Sequence, residues 1–448
     1  MQIAFVTLFL GLTLGSYPVE LAVEGPVAAV ELVLDGAVVG RIEKPPWTGQ
    51  IDFGKTLVPH ELVARALDAG GQEVARARQW VNLPRPAAEV EIVLEGGAAG
   101  SPAAARLTWQ SRTGARPSSV RLTLDDQPLT LGPDGRAVLP AYDPGSAHVL
   151  SAEVAFPSNV VARRDAVFGG RYGSEVSTDL TAVPVRVRRG KPTEASLRGR
   201  LFAGETPLVV AAVEDDPAQV LVVKDLGAAA GLKELGDVKQ RRTVQGQGMG
   251  QRLSIEPDYL RYEIGLRRDD EVLFVWPVPR RFSGSGLPAE LFDWSRAFTL
   301  RDGGMHWLLT RLLMPGGMAG KQRLADAVAV AGLQAVSTSR PRAVVLVLGA
   351  APEDASRYDP ATVRQYLASV RVPLFVWSVE KPVEKDAAVS PALAAWGKVE
   401  DVSTLTRFRG AVARLRDELE SQRIVWVEGT HLPQSIALGP GAAGIELP

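Results

Sequence analysis

Four histidines, His60, His148, His306 and His431, and no cysteine set the limits of catalysis in this 448-residue chain. The missing thiols exclude disulfides, thiolate zinc sites, iron–sulfur clusters and a cysteine nucleophile. His306 lies in Asp302-Gly-Gly-Met-His-Trp307, so Asp302 is placed to orient it as a general base. A packed, hydrogen-bonded histidine is the favoured alternative, and His431 has no visible partner. Ser283-Gly-Ser-Gly286 lacks the leading glycine of a nucleophile elbow. Gly246-Gln-Gly-Met-Gly250 has no Gly-Lys-Ser/Thr ending and reads as a loop. No His-Glu-x-x-His occurs. The small-residue stretch 227–231 at a helix start could hold an anion on backbone N–H groups, but close helix–sheet packing is the favoured reading. Asp215-Asp216 and Asp269-Asp270 sit in turn-like surroundings that give acid catalysis no pair of separated pKa values.

The elements that must position these groups fall into two textures. Hydrophobic residues make up 46% and charged residues 23%, as in packed globular domains. Lys and Arg number 50 against 51 Asp and Glu, so the basic excess of a nucleic-acid binder is missing. Residues 3–14 are uncharged, a run too short to span a membrane and of the right length for a secretory signal over residues 1–16. Its weakness is the lack of Lys or Arg ahead of the run, and a buried first strand is the alternative. No other uncharged stretch reaches spanning length, so no integral membrane span is expected once a signal is removed.

Up to about residue 170 the chain reads as short strands with turn signals. Val30-Glu-Leu-Val-Leu34 runs into Asp35-Gly36, and Val120-Arg-Leu-Thr-Leu124 runs into Asp125-Asp126. Each is followed by a strand opening on histidine, His60 or His148, and then by a strand carrying Ala-Arg. This repeat, at a spacing of about 90 residues, predicts two immunoglobulin-like β-sandwich modules over residues 17–86 and 87–170. Pro84-Arg-Pro86 is the expected linker. One histidine per module argues for a hydrogen bond from each strand start to the backbone, not a shared metal.

From residue 171 to 448 apolar runs alternate with amphipathic stretches. Val220-Leu-Val-Val223, residues 271–276, 342–348 and 372–379 read as buried strands, and 321–338, 359–370 and 404–422 as helices. Asp359-Pro360 is an N-cap followed by proline at the first helical position. That alternation predicts a doubly wound α/β domain with a largely parallel sheet.

Arg323-Leu-Ala-Asp-Ala-Val328, followed by residues 342–348 and 372–378, resembles the second half of a von Willebrand factor A domain. The tail Gln422-Arg-Ile-Val-Trp-Val-Glu428 with His431-Leu-Pro-Gln434 is similar to an exported acidobacterial group related to that family. In that group β-sandwich modules precede the α/β domain. The resemblance implies a metal-ion-dependent adhesion site built on Asp-x-Ser-x-Ser, a later Thr and an Asp after the central strand. Asp225 matches the first position, but Gly227 and Ala229 stand where serines belong. The loop 316–322 holds no Thr or Ser, and Gly349 stands in place of the second Asp. One carboxylate cannot replace the hydration shell of Mg²⁺. The resemblance therefore implies a degenerate site without metal or other cofactor. Glu353 and Asp354 could supply oxygens, but a solvated acidic loop is the favoured reading.

The expected function is non-enzymatic: metal-independent adhesion or protein–protein interaction, by a secreted, periplasmic or envelope-associated protein. The rim formed by 225–231 and 349–358 is the expected contact surface, since open α/β sheets bind ligands at their strand carboxyl ends. The alternatives are a cell-surface hydrolase with an unrecognised site and a structural subunit of an envelope assembly. Of the nine tryptophans, Trp276, Trp377 and Trp426 are expected in cores. Trp47 and Trp294 fall in loop-like sequence, where an exposed ring would mark a binding patch.

Overall fold

The computed structural model describes residues 2–9, 11–84, 88–96, 101–111, 116–157, 160–170, 172–177, 180–188, 190, 192–236, 242–245, 252–255, 266–282, 289–299, 304–312, 314, 320–380, 390–440, 442 and 444–448. The chain forms two compact units. One comprises Met1–Pro84, Ala182–Val425 and Leu432–Pro448, and the other Arg85–Thr181 with Trp426–His431.

The first unit begins with a β-sandwich. Its strands are β1 (Gln2–Phe5), β2 (Ser16–Glu24), β3 (Ala29–Leu34), β4 (Ala37–Ile42), β5 (Thr48–Asp52), β6 (His60–Leu67) and β7 (Glu73–Val81). Sheets ordered β1-β2-β5 and β4-β3-β6-β7 enclose a core that includes Val19, Leu32, Ile51 and Leu62. Strand β6 shows why: its alternate residues are buried, as a half-buried pleated strand requires. The stretch read as a secretory signal serves this sandwich. Ile3 pairs with Val23, Ile3, Phe5 and Phe9 are buried, and Phe9 stacks edge-on against Phe53. An apolar run of that length satisfies a strand and a signal equally well. Here the alternative of a buried first strand describes the fold.

The same unit contains the α/β part, and the sandwich, with its own core, packs residues onto it. Leu57 is fully buried in the α/β core, with Leu12 and Leu83 packed on that core. Asn82 ties three elements together. Its Oδ1 accepts from the Thr13 amide at 2.7 Å, its Nδ2 donates to the carbonyls of Thr13 and Val58, and its own carbonyl accepts from the Tyr366 hydroxyl. The expected boundary near residue 86 therefore marks the entry to the second unit. Residues 85–87 of the expected linker lie outside the described residues.

The parallel sheet runs in the order Glu271–Val275, Gln219–Lys224, Arg342–Leu348, Leu374–Ser378, Glu400–Asp401, with every neighbouring pair parallel. Its central strands are fully buried, and cores lie on both faces. Helices Leu324–Val336 and Pro360–Ser369 cover one face, and Met305–Arg311 and Leu405–Ser421 the other. The expected cap is present: Asp359 accepts from the Thr362 amide, with Pro360 at the first helical position. Val272 and Phe298 exchange backbone hydrogen bonds, so residues 293–298 shield the sheet edge at Glu271–Val275.

The second unit is a second β-sandwich: β8 (Ala88–Glu95), β9 (Ala104–Ser111), β10 (Ser119–Leu124), β11 (Gln127–Pro128), β12 (Arg136–Val138), β13 (His148–Phe156), β14 (Val160–Gly169) and β15 (Tyr172–Ser177). Sheets ordered β12-β9-β8 and β11-β10-β13-β14-β15 enclose Ile92, Leu107, Leu122, Leu150 and Phe168. Two β-sandwiches and a parallel five-stranded α/β sheet are thus the architecture. His431 is held here: its amide donates to Thr181 Oγ1, and its Nε2 lies 2.9 Å from the Glu428 carbonyl.

Both repeated histidines bind carboxylates, which the sequence reading did not foresee, and His148 makes the expected backbone bond as well. His60 Nδ1 lies 2.7 Å from Asp35 Oδ2, and His148 Nδ1 lies 2.6 Å from Asp125 Oδ2. In each sandwich the second oxygen of the aspartate accepts from the amide following the histidine, Glu61 or Val149. Asp35 and Asp125 both have positive φ, which aspartate tolerates because its side chain bonds locally. Each pair pins a hairpin turn to the start of the strand that lies beside it in the sheet, β6 or β13. His148 also bonds the Asp143 carbonyl through Nε2, so both ring nitrogens face acceptors and the imidazolium is favoured.

The hydrogen bond to Asp125 holds the His148 pKa above the ordinary histidine value, and the reciprocal bond holds Asp125 below the usual aspartate range. The histidine contribution is therefore complete below about pH 6.5 and fades as pH rises through the folded His148 pKa. The aspartate contribution is present above about pH 3.9 and is lost as pH falls through the folded Asp125 pKa. Hydrogen exchange of β13, compared between wild type and His148→Gln at matched pH, should differ most below about pH 6.5 and the difference should narrow as pH rises through the folded His148 pKa. A difference that grows with pH would contradict this pairing.

Candidate functional site: a closed crevice at the sheet's carboxyl edge

Strand Gln219–Lys224, the first of this sheet in sequence, has the second, Glu271–Val275, on one side and the third, Arg342–Leu348, on the other. The order reverses between the first and the third, which is where open α/β sheets place ligands. Asp225 and Gly349, the residues just after those two strands, face each other at that point. Asp225 is 1% exposed. Its Oδ1 accepts from the Gly227 amide at 3.0 Å and from Gln322 Nε2 at 2.8 Å, and its Oδ2 accepts from the Gly349 amide at 3.0 Å. Asp225 also caps the short helical turn Leu226–Ala228, which leads into the helix Ala229–Gly236.

Gln322 completes the arrangement, and sequence reading missed it. Its Oε1 accepts from the Leu226 amide, and its Nε2 donates also to the Glu353 carbonyl at 2.7 Å. Its backbone carbonyl accepts from the Ala355 amide. One carboxamide joins three loops that are far apart in sequence. A Cβ on Gly349 would lie 2.9 Å from the Gly227 carbonyl carbon and oxygen, so two backbones meet where the crevice would open.

The expected site residues are thus only partly brought together. Asp225, Gly227 and Gly349 meet. Ala229 is exposed at the start of its helix and offers no side-chain oxygen. The Glu353 side chain is exposed, and its carbonyl serves Gln322. Asp354 is no free acidic loop residue: its oxygens accept from the amides of Leu324 and Ala325 at the start of the helix Leu324–Val336. These residues do not fit Mg²⁺. A hard cation needs several oxygens, yet the Asp225 oxygens face N–H donors, and Gln322 turns its NH₂ toward that carboxylate. Among the described residues no group of three His, Asp or Glu could hold a metal ion.

Beside the crevice, Lys224 is buried, and its Nζ donates to the carbonyls of Leu309 and Leu312 at the end of the helix Met305–Arg311. Burial pushes its ammonium down to about 8. His306 is buried in the core and packs edge-on against Phe408. Asp302, Ser283–Gly286 and the loop 246–250 lie outside the described residues. Within the carboxylate pairs, Asp270 is buried while Asp269 is exposed, and burial raises the Asp270 pKa. Asp270 accepts from the amides of Ala218 and Arg267, so it stabilises a turn. Trp276 and Trp377 are core residues, while Trp426 and Trp47 are half-buried, Trp47 against the first sandwich core. Trp294 is 51% exposed.

No family model matches the chain, and no curated protein matches it. Among solved structures, the fibronectin(III)-like modules of Clostridium thermocellum CbhA match 37% of this chain and 92% of theirs, at 13% identity and a TM-score of 0.16. The central fibronectin-III array of RIM-binding protein matches 43% of this chain and 80% of its own, at 10% identity and a TM-score of 0.25. A β-glycosidase from Bacteroides vulgatus matches 38% of this chain and 24% of its own, at 13% identity and a TM-score of 0.18. Scores of this size leave the fold to be argued from its own sheets and cores.

Proposed function

We propose that this chain is a non-catalytic recognition protein that binds a protein partner without metal, through the carboxyl edge of a degenerate von Willebrand factor A-like domain. The observation that carries this reading is the Asp225 carboxylate. It sits at the switch point of the sheet, and its oxygens accept hydrogen bonds from Gly227, Gly349 and Gln322. Those donors supply in advance the compensation that a buried carboxylate otherwise draws from a cation. Such a rim is rigid before any partner arrives, which lowers the ordering cost of association. The sandwiches act as spacers and supports. Placement in the periplasm, on the envelope or outside the cell rests on the modular order that the family resemblance implies.

Calorimetric titration of the full chain with Mg²⁺, Ca²⁺ and Mn²⁺ tests the metal-free reading. No stoichiometric heat is expected for any of the three. Tight binding at one site per chain, abolished in Asp225→Asn, would overturn it.

A further inference from the structure

The carboxyl edge of the parallel sheet carries a second feature besides the Asp225 crevice. A cavity of about 410 Å³ is lined from the starts of the helices Leu324–Val336 and Pro360–Ser369, from the loop between them in space, and from the short helix Pro391–Ala394 and its end. Its size falls in the range of small-molecule sites. Pro352, Pro360 and Ala392 give it apolar walls. Asp354, Asp359, Arg357 and Trp396 give it polar groups.

Trp396 is 3% exposed and yet lines this cavity. Its indole N–H has no hydrogen-bond partner among the described residues, and unlike the N–H of Trp377 it is not sealed inside protein. A donor so nearly buried needs an acceptor, and the cavity is where one can reach it. Acceptors and further donors are also left over. Asp354 Oδ2 accepts from the Ala325 amide and retains a second lone pair. Arg357 donates to the Tyr17 hydroxyl at 2.9 Å and makes no ion pair among the described residues, so most of its five N–H groups remain.

The charges decide the class of ligand. Asp354 and Asp359 each accept from amides at a helix start, and each start carries roughly half a positive charge. Together with Arg357 these offset the two carboxylates. Asp326 is paired with Arg323. Glu353, Arg364 and Lys398 are exposed beyond the lining, where solvent screens them. An anion would meet two carboxylates, and a cation would meet a guanidinium, an indole N–H and two helix starts. We propose that the cavity binds an uncharged carbohydrate residue. Neighbouring hydroxyls of a sugar ring both donate and accept. One ring can therefore donate to the aspartates, accept from Arg357 and Trp396, and rest its C–H face on Pro352, Pro360 and Ala392. A peptide amide offers one donor and one acceptor and leaves the other groups unmatched. The site uses none of the groups bonded to Asp225 and stands apart from the recognition reading.

An array of neutral and acidic glycans, probed with the full chain in EDTA, tests the site. Saturation-transfer NMR with free glucose, galactose, mannose and xylose separates a free sugar from a residue of a polymer. Retention on neutral glycans is expected, with a Kd for a free sugar of roughly millimolar, as suits a ligand of about a dozen heavy atoms. The uronic acid of a bound sugar should bind about tenfold more weakly or worse. Ala392→Gln, at an exposed position of the helix Pro391–Ala394, fills the cavity without touching a core and should abolish binding. Trp396→Phe keeps most of the ring, removes the N–H, and should weaken binding about three- to tenfold. A sugar bound only within a longer glycan supports the site and places its ligand in a polymer. No neutral glycan retained, a preference for acidic glycans, or unchanged affinity in either variant would overturn the proposal. If Trp396→Phe does not fold, Ala392→Gln decides alone.

Discussion

Replacing Asn82 by alanine is expected to destabilise the first unit by on the order of 3–5 kcal/mol, measured by urea denaturation of the full chain. The substitution removes the acceptor of the Thr13 amide and the donor to the Thr13 carbonyl, both buried, and the donor to the part-buried Val58 carbonyl. Each buried polar group left without a partner costs about 1–3 kcal/mol. Asn82 also has φ of 59°, where asparagine is tolerated and alanine is strained by roughly 1–2 kcal/mol. Asn82→Gly separates the two causes. It relieves the backbone strain, keeps the hydrogen-bond loss, and should fall between wild type and Asn82→Ala. Because Tyr366 donates to the Asn82 carbonyl, the loss should also reach the helix Pro360–Ser369. Enhanced hydrogen exchange in that helix is the expected signature. A loss under about 1 kcal/mol would show that residues 2–16 and the sandwich do not depend on this hub.

Much of the framework was legible because it follows from local pattern. The continuous apolar runs at 220–223 and 342–348 became fully buried parallel strands. Asp359-Pro360 announced its helix with a cap chemistry that needs no distant partner. The two histidines showed the same strength and the same limit. Their repeated places were visible, and so were Asp35 and Asp125 at the ends of the preceding strands. What paired them was antiparallel register: Leu34 lies opposite Leu62 and Leu124 opposite Leu150, which brings each turn aspartate beside its histidine. Gln322 left no trace in the sequence, because a carboxamide has no motif and its carboxylate partner is 97 residues away. Residues 1–16 are ambiguous for the opposite reason, since one apolar pattern describes two fates. The exposure of Trp294 was equally hidden, because it depends on which neighbours the sheet edge recruits.

Gly349→Ala is the substitution expected to open the Asp225 crevice, at a cost of about 3 kcal/mol. The new methyl would meet the backbone of Gly227, which cannot rotate aside as a side chain can. One of the two loops must retreat, and the Gly349 amide then leaves Asp225 Oδ2. The buried carboxylate would lose a donor and gain room for solvent. That predicts two measurable effects. The denaturation midpoint should drop, and in urea the slope should stay unchanged if the rest of the sheet is intact. Protection of the Leu226 and Gly227 amides should fall in hydrogen exchange, since the turn they belong to is capped by the same carboxylate. Gln322→Ala gives the comparison. It removes an amide donor from Asp225 and from the Glu353 carbonyl without adding bulk, so its loss of protection should extend to Glu353–Ala355. If Gly349→Ala were neutral, the contact between the two loop backbones would not be what closes the crevice. The rim would then be free to rearrange on binding, and preorganisation by hydrogen bonds to Asp225 would lose its physical basis.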